Sequence, residues 1–397
     1  MKHFSSRLVE FLAGTILLCA TAFGQNGGLR FSLTDLGTFG GTWGEAWAIN
    51  DQGTVVGTYG FGTGCGGYGY CHDNPGETQH GSRCFVWQSG GNLFTFDGGT
   101  KISRCKALAI DKKFNVAGWM YTQASPSAPR AFNVDAGWKL TIFDPPPGYN
   151  ISMALAVSGG TVVGGIGNTS YGGGCDYCRF WFSGLQTAVK WDSAGHLTTI
   201  ATGHNDYGNY ARGINRSGEI VGRTYYYHPG NDAPSPWLWK NGVFTDLPMA
   251  TAPGWEYGQA YAINDRGTIV GGGSVEDGTH NGICVQQWNS QSPASQPIVS
   301  HCGGTYIAGM AISNDNWVVG YSDFDFRLNP SSPFLVVADP NCAVADLNTL
   351  LDASGAGWSV ATANGINNLH QVVGAGVSPV DGLWHAVLLK PNGLPLC

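Results

Sequence analysis

The chain has 397 residues, 43% hydrophobic and only 12% charged, with 61 glycines and a formal net charge of −7. Typical domains carry about 7% Gly and about 25% charged residues, so Gly is doubled here and charge halved. This excludes a disordered polyelectrolyte, a coiled coil, a basic nucleic-acid binder and, because the glycines keep no three-residue period, collagen.

Residues 1–25 read as a secretory signal peptide. Lys2 and Arg7 supply the positive start, Phe11 to Ala22 the apolar stretch, and Ala20-Thr21-Ala22 the cleavage site. The apolar stretch falls short of the ~20 residues of a membrane span, and no later segment approaches it. The expectation is a protein secreted to the extracellular space or periplasm, with residues 26–397 as one domain. It is expected to be a monomer with no membrane span, no nucleic-acid partner, no cofactor and no metal. Ten cysteines follow the signal: Cys65, Cys71, Cys84, Cys105, Cys175, Cys178, Cys284, Cys302, Cys342 and Cys397. An even number in an oxidising compartment favours disulfides over a metal site.

Along the chain one pattern recurs seven times. It reads small-x-small, an aliphatic residue, Asn or a stand-in, a short turn, then β-branched residues and Gly. The first copy is Ala46-Trp47-Ala48-Ile49-Asn50-Asp51-Gln52-Gly53-Thr54-Val55-Val56-Gly57, and the fifth runs Tyr261-Ala262-Ile263-Asn264-Asp265-Arg266-Gly267-Thr268-Ile269-Val270-Gly271. The second copy, Ala109-Ile110-Asp111 to Val116-Ala117-Gly118, matches less well, and the third has a shortened turn at Ser158-Gly159-Gly160. Asn-Asp-x-Gly suits a turn closed by Gly in the left-handed region, with the Asn side chain bonding the backbone two residues on. Each copy is therefore a predicted tight hairpin. A second hairpin follows, as in Trp237-Leu238-Trp239, Lys240-Asn241-Gly242 and Val243 to Leu247.

Two hairpins make four strands per repeat. The anchors at 50, 111, 158, 215, 264, 313 and 367 lie 47 to 61 residues apart. Four strands per ~40–50 residues is the pattern of a β-propeller blade. The predicted fold is an all-β, seven-bladed propeller of four-stranded antiparallel blades. The segment Phe31 to Gly37 matches the fourth-strand type, whereas the last repeat ends after a third strand, His385 to Lys390. The N-terminal strand is thus expected to complete the last blade and close the ring, removing an open sheet edge.

The segments Leu36-Gly37-Thr38-Phe39-Gly40-Gly41, Ala48-Ile49-Asn50-Asp51, Val55-Val56-Gly57 and His385-Ala386-Val387 resemble the extracellular HAF repeat family of bacteria, named for a His-Ala-Phe segment. Arg130-Ala131-Phe132 is a further near match. The resemblance spans the chain after the signal. It implies a secreted repeat protein of unestablished activity and carries no catalytic residue.

A propeller sorts its loops onto two faces: short hairpin turns on one, long connections on the other. The stretches 58–83, 119–130, 165–188, 223–236, 272–283, 321–332 and 375–385 are read as long loops of the second face. Aromatic side chains gather there, and Tyr207, Tyr226, His228, Trp255, Tyr257, Trp358 and Trp384 are the candidate ligand-binding residues. Aromatic faces beside Asn, Asp and His suit sugar rings, which points to an extracellular polysaccharide or glycan. The competing readings are a glycoside hydrolase or lyase using paired acids at the channel mouth, and a structural or adhesive envelope protein. No catalytic residue is singled out. The blade register predicts the disulfides Cys84–Cys105, Cys284–Cys302 and Cys342–Cys397, with Cys65–Cys71 and Cys175–Cys178 bracing two loops.

Overall fold

The computed structural model describes residues 28–61, 81–99, 104–168, 184–200, 208–225, 234–250, 258–276, 281–302, 306–323, 332–337 and 344–392. Among them there is no α-helix, only two short 3₁₀ turns at Leu347–Leu350 and Ala353–Gly355. Everything regular is strand. The chain opens with β1 (Arg30–Gly37) and then runs in groups of four. β2 (Trp43–Ile49), β3 (Val55–Gly60), β4 (Ser82–Gln88) and β5 (Asn92–Phe96) come first. Next are β6 (Cys105–Ile110), β7 (Val116–Thr122), β8 (Ser125–Val134) and β9 (Leu140–Phe143), then β10 (Ile151–Ser158), β11 (Thr161–Gly167), β12 (Leu185–Trp191) and β13 (Leu197–Thr199). The fourth group is β14 (Tyr210–Ile214), β15 (Ile220–Tyr225), β16 (Pro234–Lys240) and β17 (Val243–Asp246). The fifth is β18 (Gly258–Ile263), β19 (Thr268–Glu276), β20 (Asn281–Asn289) and β21 (Ile298–Cys302). The sixth is β22 (Tyr306–Ile312), β23 (Trp317–Asp323), β24 (Ser332–Val337) and β25 (Ala345–Asp346). Three strands end the chain: β26 (Ser359–Ile366), β27 (Val372–Val377) and β28 (Trp384–Asn392).

Groups two to six are separate four-stranded antiparallel sheets paired in sequence order. β1 pairs antiparallel with β28, Leu33 opposite Leu389, so the N-terminal strand is fourth neighbour to β26–β28. One parallel bridge, Trp43 to Trp384, joins that sheet to β2–β5. Leu29, just before β1, and Phe31 and Leu33 of β1 bury themselves against Leu389, Val360 and Leu347. The Leu33 amide also donates to Ser354 Oγ at 2.7 Å.

The repeat pattern has a steric cause. In all seven first hairpins the register slips at the residue between the two small ones, as between Ala46 and Ala48 or Ala260 and Ala262. This is a β-bulge, which leaves one residue unpaired and bends the strand. The Gly that ends each β-branched run faces the bulge. A Cβ on Gly57, Gly118 or Gly271 would overlap the carbonyl oxygen of Glu45, Lys106 or Gln259. The third strand then lays an aromatic over that glycine: Phe85 on Gly57, Phe132 on Gly118 and Trp237 on Gly222. Those rings are fully buried. Truncating such a side chain to Ala costs about 3–5 kcal/mol.

The Arg-Ala-Phe and His-Ala-Val segments also acquire a role. Arg130 Nε lies 2.9 Å from Asp144, just past β9, and His385 Nδ1 lies 2.9 Å from Asp35 of β1. Arg83 repeats the contact with Asp97 beyond β5 at 3.2 Å. A basic residue entering the third strand thus meets an acid leaving the fourth, and Asp35 takes that place for the last group.

Two disulfides lie in the described residues, Cys84–Cys105 and Cys284–Cys302, with Cα–Cα distances of 5.3 and 4.2 Å. Cys284 and Cys302 are opposite each other in the β20–β21 ladder, whereas Cys84–Cys105 joins β4 to the first strand of the next group. Cys65, Cys71, Cys175, Cys178, Cys342 and Cys397 lie outside the described residues, as do residues 1–25, the expected signal peptide. One stretch read as a long loop, 119–130, is instead strand: β7 and β8 continue to a turn at 123–124, because Ser125 and Thr122 hold that turn by side-chain bonds.

Candidate ligand-binding site

The first hairpin turns of all seven groups meet at one cavity of about 530 Å³. Six of the seven are set by the leading side chain, Ser313 Oγ taking the Trp317 amide in the sixth group. Asn264 Oδ1 accepts the amides of Arg266 and Thr268 at 3.0 and 2.9 Å, and Asn50, Asp111, Asn215 and Asn367 make equivalent bonds. The amide half of each Asn then reaches the next turn. Asn215 donates to Asn264 O, Asn264 to Ser313 O, Asn367 to Asn50 O and Asn50 to Asp111 O, at 2.9 to 3.2 Å. A second row lies outside it: Arg216 N donates to Asp265, Asp265 N to Asn314, Asn314 N to Asn368 and Asn368 N to Asp51. Asp51, Asp265 and Asn368 are therefore structural, as their turn positions imply, and the belt runs from the last group to the first.

Above the turns sits a collar of aliphatic side chains: Ile49, Ile110, Val157, Ile214, Ile263, Ile312 and Ile366. Beyond it lies a second cavity of about 220 Å³. Its wall is built from one position of the repeat, the bulged residue between the two small ones: Trp47, Leu108, Leu155, Arg212, Tyr261, Met310 and Asn364. The bulge re-aims this side chain out of the sheet, so the most variable slot of the repeat becomes the wall of a shared cavity. Lys106 joins the ring from outside the slot. Its ammonium lies 5.4 Å from the Trp47 ring centre and 5.8 Å from Trp119, and the Arg212 guanidinium lies 4.8 Å from Tyr261. The arrangement combines aromatic faces, two cations and an amide in a space for one ring-sized group.

Of the sequence-predicted ligand residues, Tyr207, Tyr226, His228, Trp255 and Tyr257 lie outside the described residues. Trp358 and Trp384 are described and lie together at the strand end opposite the turns. Trp358 meets the His385 ring edge-on at 5.7 Å, while Trp384 opens β28 beside Trp43. His385 bridges Asp35 and Asp381, with Nε2 3.0 Å from the latter. The Leu383 amide, joined by hydrogen bonds from His385 and Ser378, holds the Asp381 carboxyl below its ordinary range despite the opposing effect of desolvation. The ring of bulged residues was missed in the sequence. Its signal was there, as the one unconstrained letter in an otherwise regular motif.

Comparison with known proteins gives the fold. No protein-family model matches the chain, and no curated protein matches it by sequence. Among solved structures it is similar to a streptogramin B lyase (12% identity, TM-score 0.51, 91% of this chain and 98% of the other). It is also similar to virginiamycin B lyase from Staphylococcus aureus (8% identity, TM-score 0.52, 92% and 100%). The shared architecture is the β-propeller. At these identities the likeness is one of fold alone.

No helix among the described residues is long and apolar enough to cross a membrane.

Proposed function

We propose that this chain is a secreted ligand-binding propeller of the HAF-repeat kind. Its seven blades close into a ring through β1, and it takes an extracellular polysaccharide or glycan at the channel. The observation that carries the reading is the ring of bulged residues. Seven equivalent positions, each free to vary, converge on one cavity while the residues on either side are held to Ala or Gly by packing. Such a wall changes its chemistry without cost to the fold, as a recognition surface requires. Trp47 and Tyr261 offer faces to the C–H side of a sugar ring, and Arg212 and Lys106 offer donors to its oxygens. Ring closure is supported by the β1–β28 register and by the belt bonds from Asn367 and Asn368 to Asn50 and Asp51. The aromatics Trp358 and Trp384 extend the surface at the long-loop face.

The test is a glycan array with the full-length secreted chain, followed by titration of any hit against Trp47→Ala and Arg212→Ala. The reading expects a glycan whose affinity falls at least about tenfold in Trp47→Ala, the scale of one aromatic contact. Absence of binding across neutral and acidic glycans contradicts it.

A further inference from the structure

The second blade breaks the repeat's turn chemistry twice, and both breaks line one cavity. In the first hairpins the fourth turn residue has positive φ. It is Gly53, Gly218 and Gly267 in three blades, at φ +78° to +83°, and Asn316 and His370 in two more, where the side chain bonds Asn264 or Asp315. In blade two it is Phe114, at φ +64°. In the second hairpins the left-handed position is Gly195 in blade three, but the matching residue in blade two is Trp138, at φ +63°. The match is one of hydrogen bonds. Trp138 N donates to Asp135 O and Asp135 N to Lys139 O, as Gly195 N does to Asp192 O and Asp192 N to His196 O. A bulky residue there pays a conformational penalty that Gly avoids. Trp138 does not recover it through burial, being 46% exposed.

Both rings face a notch of about 220 Å³ between blades one and two, with Val86 and Ile110 forming its floor. Phe94 of β5, 41% exposed, lies 4.3 Å from Trp138 between ring centres and continues the aromatic surface outward. Two polar groups border the notch, Gln88 and Asp135. Asp135 Oδ1 accepts the amides of Gly137 and Lys139, which fixes the carboxylate at the notch. No cation lines it.

Strained residues persist where function holds them. We infer that this notch is a second binding site, distinct from the channel, that takes one ring of a neutral polysaccharide. The ligand class rests on the carbohydrate reading above. Its particulars come from the notch. The volume lies below the roughly 300–1,000 Å³ of drug-sized pockets, so it fits a single ring rather than a peptide or helix. Paired aromatic faces suit sugar C–H groups, and a carboxylate with an amide suits hydroxyls. With no cation in the lining, the carboxylate disfavours anionic sugars.

The experiment is affinity electrophoresis of the full chain in gels holding dextran, laminarin, galactomannan, xyloglucan or, as the acidic control, polygalacturonate. It compares the wild type with Trp138→Gly, Phe114→Gly and Trp47→Ala. The expected result is retardation by a neutral polymer that weakens at least about tenfold in Trp138→Gly. The thermal midpoint of that variant should be unchanged or higher by about 1–2 °C, because Gly relieves the strained turn. A purely structural Trp138 would instead lower the midpoint and leave retardation intact. Retardation unchanged in Trp138→Gly but lost in Trp47→Ala overturns the notch alone and leaves the channel reading standing. A wild type retarded by none of the polymers overturns both. Loss of self-association in Trp138→Gly, with polymer binding untouched, assigns the notch to a second copy of the chain and overturns the inference.

Discussion

The first hairpin turns of blades two and five share one backbone and carry opposite residues on it. In both, the leading side chain accepts two amides: Asp111 those of Lys113 and Asn115, Asn264 those of Arg266 and Thr268. In both, the fourth residue donates back to the first carbonyl at 3.1 Å. Blade five then uses Gly267, whereas blade two uses Phe114. The comparison teaches that the side-chain bonds, not the glycine, fix the turn. Once Asp or Asn has closed the backbone, the left-handed slot tolerates a bulky residue at a cost of about 1–2 kcal/mol. That slot then becomes available for recognition.

The largest expected effect tests what the two blades have in common. Gly118→Ala and Gly271→Ala each force a Cβ into the carbonyl of Lys106 or Gln259 across the bulge. Each should lower stability by about 4 kcal/mol or more, or prevent folding, measured by urea denaturation. Tolerance in blade two alone would mean that its bulge differs. The disulfides come next. Cys84–Cys105 ties blade one to the inner strand of blade two, and Cys284–Cys302 lies within blade five. Both close loops of similar length, 21 and 18 residues, so loss of either should cost about 3 kcal/mol in the same assay.

A matched pair is Asn264→Ala and Asp111→Ala. Both lose the turn bonds and a bond to the next group: Asn264 its donations to Ser313 O and Asn316, at 2.9 and 2.8 Å, and Asp111 the amide of Gly160, at 3.2 Å. Each substitution should cost about 2–3 kcal/mol. A cost of about 1 kcal/mol or less in both, no more than the turn bonds alone, would contradict a belt between blades. The smallest effect concerns acid. Burial alone would raise the Asp315 carboxyl, but hydrogen bonds from Ser313 and His370 outweigh it and hold it low; Asp381 is held low as well. A carboxyl lowered in the folded state stabilises above its unfolded pKa and loses that contribution as pH falls through the folded one. Stability should therefore be flat down to about pH 4 and decline below it. The fluorescence of Trp317, stacked on His370 at 3.9 Å, reports the change.

Much of the fold is legible in the sequence because its determinants are local. Asn-x-x-Gly is a turn whatever surrounds it, and Val-Val-Gly is a strand with a close approach. The strand register was regular enough to pair Cys84 with Cys105 and Cys284 with Cys302. The site was harder to see. The second copy was read as a weaker match, yet its departures, Phe114 in the first turn and Trp138 in the next, are what make the notch. A Gly-to-aromatic change looks like decay until both rings are found on one cavity. The channel wall was hidden for a related reason. The bulge is a tertiary accommodation, and without it Trp47, Arg212 and Tyr261 read as ordinary alternating strand residues.

The sorting of residues onto faces depends on ring closure, and a cross-link tests it most directly. Ser32 and Lys390 are Cα partners in the β1–β28 ladder. In the double variant Ser32→Cys, Lys390→Cys, peptide mapping under non-reducing conditions should recover the 32–390 disulfide within a single chain. Free thiols at both positions, or a link between two chains, would contradict closure by the N-terminal strand.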